Sequence, residues 1–189
     1  MNSVAIAHLF PGMLRQPRPN SGSLMKKLVV LLILGLIAAY GVGRFNLGET
    51  GAMRFMMKME SHMSEGRSEE VCAMFHDDLE VDIEDHSGES TKTTNGGKQE
   101  FCELTTEVVA GLQLLPHSSN VEYADITAKQ EWNKPWTGEV SYSEHRTLSI
   151  PAAGVTMRTV SEDEITLVQT LSGVKLRKVK SAVYNADAT

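Results

Sequence analysis

Between Leu28 and Gly43 the chain carries no charge and no strongly polar side chain. After it the pattern becomes periodic. Ala52, Met56, Met59 and Met63 recur at steps of four, three and four, the stripe of an amphipathic helix. Gly66 reads as the stop of that helix. Ser68 reads as the N-cap of a second, short helix, with Glu69 and Glu70 in its electropositive first turn. Val71, Met74 and Phe75 face inward in it, and it is expected to end near His76-Asp77-Asp78. The period then switches to two. Leu79, Val81 and Ile83 alternate with Glu80, Asp82 and Glu84, a strand with one buried face. Ser87-Gly88 turns the chain, and Thr93 to Gly97 reads as a polar loop in which Asn95 caps a third helix. Phe101, Leu104, Thr105, Val108 and Leu112 form the inward stripe of that helix.

After Pro116 the helical pattern stops. Val121 to Trp132, Val140 to Ile150, Val155 to Leu171 and Val174 to Tyr184 read as strands, the last two joined by a hairpin at Ser172-Gly173. Helices first and a meander of strands after is an α+β pattern: three helices on one face of an antiparallel sheet, preceded by one apolar helix. The expected organisation is a leader over residues 1–27, an anchor or signal segment over 28–44, a tether over 45–51 and one domain over 52–185.

Charge adds an address. The first 48 residues hold five basic side chains (Arg15, Arg18, Lys26, Lys27, Arg44) and no acid, whereas 24 acids face 13 Lys and Arg after them, a formal charge of −11. Met25-Lys26-Lys27 before the apolar run has the form of a signal or anchor n-region, so residues 1–24 are a basic leader or precede the true start at Met25. Sixteen apolar residues of helix span about 24 Å, short of a bilayer core unless Lys27 and Arg44 snorkel. Ala39-Tyr40-Gly41 and Gly41-Val42-Gly43 are small-x-small sites, so a cleaved signal competes with an uncleaved anchor. Both place the domain outside the cytoplasm, anchored through residues 28–44 or secreted. A domain this acidic is a poor partner for nucleic acid, and Lys175, Arg177, Lys178 and Lys180 read as the solvated face of the last strand.

Three stretches resemble the nuclear transport factor 2-like superfamily, which includes ketosteroid isomerase and polyketide cyclases. Ser64-Glu65-Gly66-Arg67-Ser68-Glu69-Glu70-Val71-Cys72-Ala73-Met74-Phe75-His76-Asp77-Asp78 looks like the family's turn, acidic helix start and Phe-x-Asp-Asp exit. Gly96-Gly97-Lys98-Gln99-Glu100-Phe101 resembles the opening of its third helix, and Ile165 to Val179 its closing hairpin. The resemblance implies a strongly curved sheet around three helices, with a conical pocket between them. Pocket-lining positions are then Met56, Met59, Phe75, Ile83, Cys102 and His145.

In the register of the isomerase branch, the general-base position falls on Ile83 and the phenol position on Met59. Neither side chain moves a proton or holds an oxyanion. Glu80, Asp82 and Glu84 have the opposite parity and are expected to face solvent. His76 and His86 flank the first strand as surface residues, and His62 falls off the helical stripe. His145 faces the cavity if Tyr142, Glu144 and Arg146 share the other face. No Cys/His or His/His spacing suits a metal, and no cofactor motif is present in the sequence. Cys72 and Cys102 leave two readings, buried free thiols on apolar helix faces or a disulfide. Trp132 and Trp136 bracket a loop and either cover the open end of the sheet or offer a partner surface.

The expected function is a non-catalytic binding module for a partner protein or a small apolar ligand. A small-molecule isomerase or cyclase is the alternative. A sheet-to-sheet homodimer of structural role is the third. Topology is directly testable. A phosphatase reporter that folds only outside the cytoplasm, fused after Thr189, is expected to be active. Activity of a reporter that works only in the cytoplasm contradicts the assignment.

Overall fold

The structure is a computed structural model and describes residues 21–114 and 116–186, with side chains from Leu28 onward. Of the expected leader over residues 1–27, residues 1–20 lie outside the described residues and residues 21–27 are helical. The chain divides into two compact units, residues 1–37 and 38–189. In the first, the described residues are helical, and Leu28 to Ile37 is apolar and exposed.

Helix α1, Ser21–Asn46, runs on from that unit into the second. Its segment Leu28–Asn46 has 19 residues and a mean hydropathy of 2.2, long and apolar enough to cross a membrane. The expected tether over residues 45–51 is not a tether. Helix α1 continues to Asn46, α2 (Glu49–Ser64) begins three residues later, and Leu47 between them is fully buried. The sequence hides this because Leu47 is one apolar residue in a short polar stretch, with no period to reveal its direction.

Helix α2 buries Ala52, Phe55 and Met56, with Met59 and Met63 packed beside them. It ends as expected at Gly66, whose φ of 77° needs no Cβ penalty. Gly66 N–H donates to Met63 O and Arg67 N–H to His62 O, the paired bonds of a Schellman motif. His62 is buried rather than solvated, because this turn folds back against the helix end. Helix α3, Ser68–Ala73, is shorter than expected, and its N-cap is Arg67, which makes no side-chain cap bond, with Ser68 one position inside the helix. Phe75 therefore belongs to β1 (Phe75–Asp85), not to the helix. A five-residue apolar run such as Val71 to Phe75 fits either element by periodicity alone.

Strand β2 (Lys92–Gly96) occupies the expected polar loop and pairs antiparallel with β1. Asn95 lies in that strand. Helix α4 (Lys98–Leu114) is opened by Gly97, whose N–H donates to Glu100 Oε2 at 3.0 Å, the reach-back half of a capping box. Thr105 and Val109 are its most buried residues, while Leu104 and Val108 are exposed, so its inward face is rotated from the expected stripe. The rotation turns Phe101 onto Phe75, ring centroids 5.1 Å apart, and Cys102 onto α3.

Strands β3 (Ser118–Lys129), β4 (Thr137–Ile150), β5 (Val155–Thr170) and β6 (Gly173–Asn185) complete a six-stranded sheet. A single 3-10 turn, Pro151–Ala153, joins β4 to β5. The strand order is β2-β1-β6-β5-β4-β3. All neighbours are antiparallel except β1 and β6, where Val81 lies opposite Val179 and Ile83 opposite Ser181. Register shifts interrupt β1, β3 and β6, with Asp125 at φ 52° in the β3 shift and Arg177 the extra residue of β6 against β5. Such bulges bend strands, and here they curve the sheet around α2, α3 and α4. Val81, Val140, Ile165, Leu167, Leu176 and Val179 line its helix-covered face.

Cys72 of α3 and Cys102 of α4 are joined as a disulfide, with Cα atoms 5.4 Å apart. It ties a six-residue helix, too short to be stable alone, to a long one. The loop it closes has a sequence separation of 30. Reduction is expected to cost roughly 3–4 kcal/mol in chemical denaturation. Labelling of the native protein without reductant should find no free thiol; two labelled thiols contradict the bridge.

Candidate functional site

The site lies between the helices and the inner face of the sheet. A partly open cavity of about 120 Å³ is lined there by Phe55, Met59 and Met63 of α2, Val71 of α3 and Phe101 and Thr105 of α4. Phe75, Tyr142, Ile165, Leu176 and Val179 close it from the sheet. These residues converge because each element points its apolar positions the same way. The inward parity of β1, β4, β5 and β6 is locked by the cross-strand register, Val140 opposite Ile165 and Ile165 opposite Val179.

Met59 and Phe75 therefore line the cavity. Met56 is buried beneath it in the core, and Ile83 and Cys102 pack against the core at its margin. His145 does not reach it. Tyr142, Glu144 and Arg146 take the inner face of β4, and His145 is exposed on the other. The sequence left that parity open, because β4 alternates between two sets of polar residues rather than between polar and apolar ones. His86 is also peripheral, stacked on Tyr184 and bonded to Thr91 and Glu84.

The inner face is not wholly apolar, which departs from expectation. Toward its β3 side it carries polar groups, and they are bonded to one another. Arg146 Nε donates to Glu144 Oε1 at 2.8 Å, and Arg146 Nη2 donates to Glu60 Oε2 of α2 at 2.9 Å. Burial raises the Glu144 pKa against the pull of Arg146. Burial alone would lower that of Arg146, but the two carboxylates outweigh it and hold the guanidinium charged. On β5, Asp163 accepts from Ser161 Oγ at 2.7 Å and also bonds Ser181 of β6, while burial raises its pKa. Tyr142 lies directly opposite Asp163, and its ring meets that of Tyr123 edge-on at 5.7 Å. Burial pushes both phenols well above their ordinary range.

Glu144, half-buried, and Asp163, buried, are two inner-face carboxylates that sequence reasoning missed. They come from β4 and β5, while β1 behaves as expected, with Ile83 inward and Asp82 and Glu84 on an outer groove beside Lys180. The signal available was Tyr142-x-Glu144-x-Arg146, an alternating polar set whose side could be assigned only through the partner strand. Among the described residues, no group of three metal-ligating side chains comes together.

No protein-family profile matches the chain, and no curated protein matches its sequence. Solved structures do match its fold. One is provisionally assigned as a scytalone dehydratase from Novosphingobium aromaticivorans, with a TM-score of 0.51 and 12% identity over 76% of this chain and 86% of that one. Another, from Streptomyces avermitilis, is provisionally a dehydratase of the NTF2-like family, with a TM-score of 0.50 and 14% identity over 69% and 91%. The beta subunit of benzoate 1,2-dioxygenase from Burkholderia mallei has a TM-score of 0.56 and 6% identity over 73% and 90%. At these identities the likeness is one of fold.

The raised pKa of Asp163 has a consequence for stability. The folded chain keeps this proton to higher pH than the unfolded chain, whose value is near 3.8. Stability tied to the group is thus full below that value and falls as pH rises through the raised folded one. The neutral variant Asp163→Asn escapes the loss. Its stability relative to the native chain, measured by urea denaturation, is expected to improve from pH 3 to pH 7. A difference that stays flat or shrinks contradicts the assignment.

Proposed function

We propose that this nuclear transport factor 2-like fold serves as a membrane-anchored, exported binding module for a small apolar ring compound. The observation that carries this is the cavity, about 120 Å³ in volume, in whose lining Tyr142 is the one ionisable side chain. A dry apolar cavity of comparable size, about 150 Å³, takes up benzene. The phenol of Tyr142 adds one hydrogen-bonding group at the edge, enough to orient a ligand bearing a hydroxyl or carbonyl. Met59 and Ile83, the positions that resemble the isomerase's phenol and base, supply neither proton transfer nor oxyanion stabilisation. A steroid-sized molecule exceeds the volume.

The anchor reading is supported by the end of α1. Gly43 is buried, and a Cβ there would meet Trp136 at 3.0 Å; Leu47 is fully buried a turn later. Signal cleavage after Gly43 would strip a residue on which the domain packs. The third reading, a sheet-to-sheet dimer, gains no support from charge. The outer groove holds Asp82, Glu84, Glu162 and Glu164 against Lys180, and a second copy stacked there would bring like charges together.

A catalytic reading is favoured by one observation, the pairing of Asp163 with Tyr142 on the inner face, both with raised pKa values. A carboxyl whose pKa burial raises, set beside a phenol, is the composition of an acid catalyst. Turnover of a small ring substrate that is lost in Asp163→Asn would establish it.

The binding reading is tested by thermal unfolding with phenol, indole and a steroid. The two small rings are expected to raise Tm in a concentration-dependent way and the steroid to have no effect. Met59→Trp, which fills the cavity, should abolish the shift. A shift that survives this substitution, or that only the steroid produces, overturns the reading.

A further inference from the structure

Three segments converge at one end of the sheet: the last turns of α1, the β3–β4 loop and the β5–β6 hairpin. A Cβ on Gly43 would lie 2.9 Å from the Pro135 carbonyl oxygen and 3.0 Å from the Trp136 ring, so glycine alone permits this approach. Asn46 Nδ2 donates to Gln169 Oε1 at 3.0 Å, and Gln169 N–H donates to Trp136 O at 2.8 Å. Two residues beyond Gln169 is Leu171, at the tip of the hairpin.

What this network holds in place is apolar surface. Trp132 is 82% exposed, Trp136 is 41% exposed, and Leu171 is fully exposed. Hydrogen bonds fix the β3–β4 loop from both sides, with Gln130 Nε2 donating to Pro135 O at 2.6 Å and Lys134 N–H to Glu131 O at 3.1 Å. A rigid loop that displays a tryptophan to water gains nothing by it, whereas the membrane–water interface is where the indole ring is most stable. The apolar segment of α1 ends here. Six residues of chain separate Ile37 from Gly43, a reach of at most about 22 Å even fully extended. The tip is therefore tethered within reach of the lipid boundary whatever the orientation of the anchor.

We propose that Trp132 and Leu171 form a lipid-contact surface that enters the interfacial layer of the membrane α1 crosses and holds the domain down against it. The proposal rests on the anchor reading. The charge beside it is balanced, Lys134 being paired with Glu131 at 3.0 Å, so contact comes from insertion of apolar side chains into a zwitterionic interface rather than from attraction to anionic lipid.

Trp132 and Trp136 are the only tryptophans in the chain, so their emission reports on this tip alone. The full chain is reconstituted into phosphatidylcholine vesicles brominated on the acyl chain close to the headgroup. Trp136→Phe is expected to lose most of its emission to the bromine, native protein to lose the share that Trp132 contributes, and Trp132→Phe to keep most of its own. Should Trp136→Phe loosen the loop, the native and Trp132→Phe pair alone gives the same difference. Emission unaffected by brominated lipid in protein that resists alkaline carbonate extraction overturns the proposal while leaving the anchor intact. This holds whether Trp132 is then open to aqueous iodide or shielded by another protein. Release of the protein by carbonate removes the anchor reading, and the proposal with it.

Discussion

The salt bridge from Arg146 to Glu60 decides what the inner face of this sheet can be. Arg146 rises from β4 into the space under α2, and a lone guanidinium there would be costly. Glu60 and Glu144 neutralise it from two elements, so one cation consumes two carboxylates and ties helix to sheet. Removing Arg146 alone would leave both carboxylates facing each other half-buried, which explains why the three belong together. The same closure keeps charge away from the neighbouring cavity, whose lining is left to Met59, Phe75, Phe101 and other apolar side chains with Tyr142 at its edge. The absence of charged side chains from the cavity lining is thus a consequence of this ion-pair arrangement.

Two other devices hold the frame around it. The disulfide between Cys72 and Cys102 fixes the six-residue α3 to α4, which closes the cavity beneath Val71. At the far end, Leu47 is covered as β4 begins, and a Cβ on Gly138 would lie 2.9 Å from the Leu47 carbonyl oxygen. The end of α1 is part of the domain's packing and not a free lead-in. Any force on the end of α1 is delivered to the start of β4, the strand that carries Tyr142, Glu144 and Arg146.

Much of this frame was legible in the chain. Leu79, Val81 and Ile83 alternate against acids because β1 has a helix-covered face and a wet one, and the alternation predicts its register correctly. Gly66 marks the end of α2 because only a residue without a Cβ takes its left-handed φ at no cost. Strand β2 was not legible. All but one of its residues are exposed, so its pairing with β1 leaves no hydrophobic trace. The rotation of α4 was hidden for a different reason, since Leu104 and Val108 are as apolar as the residues that are buried. The inner polar cluster was the least visible feature. Arg146 and Glu60 are 86 residues apart, and no local pattern encodes which side of β4 faces α2. The relation of Asp163 to Ser181 likewise exists only through the β5–β6 register.

The central claim is that charge on the inner face is committed to the fold and the cavity is free for an apolar guest. A crystal structure of the protein grown with phenol tests it directly. The account predicts the ring between Met59, Phe75 and Phe101, its hydroxyl toward Tyr142, and Arg146 still bonded to Glu60 and Glu144. A ring seated instead against Asp163 or Glu144, with the Arg146 bridges broken to admit it, would contradict the account.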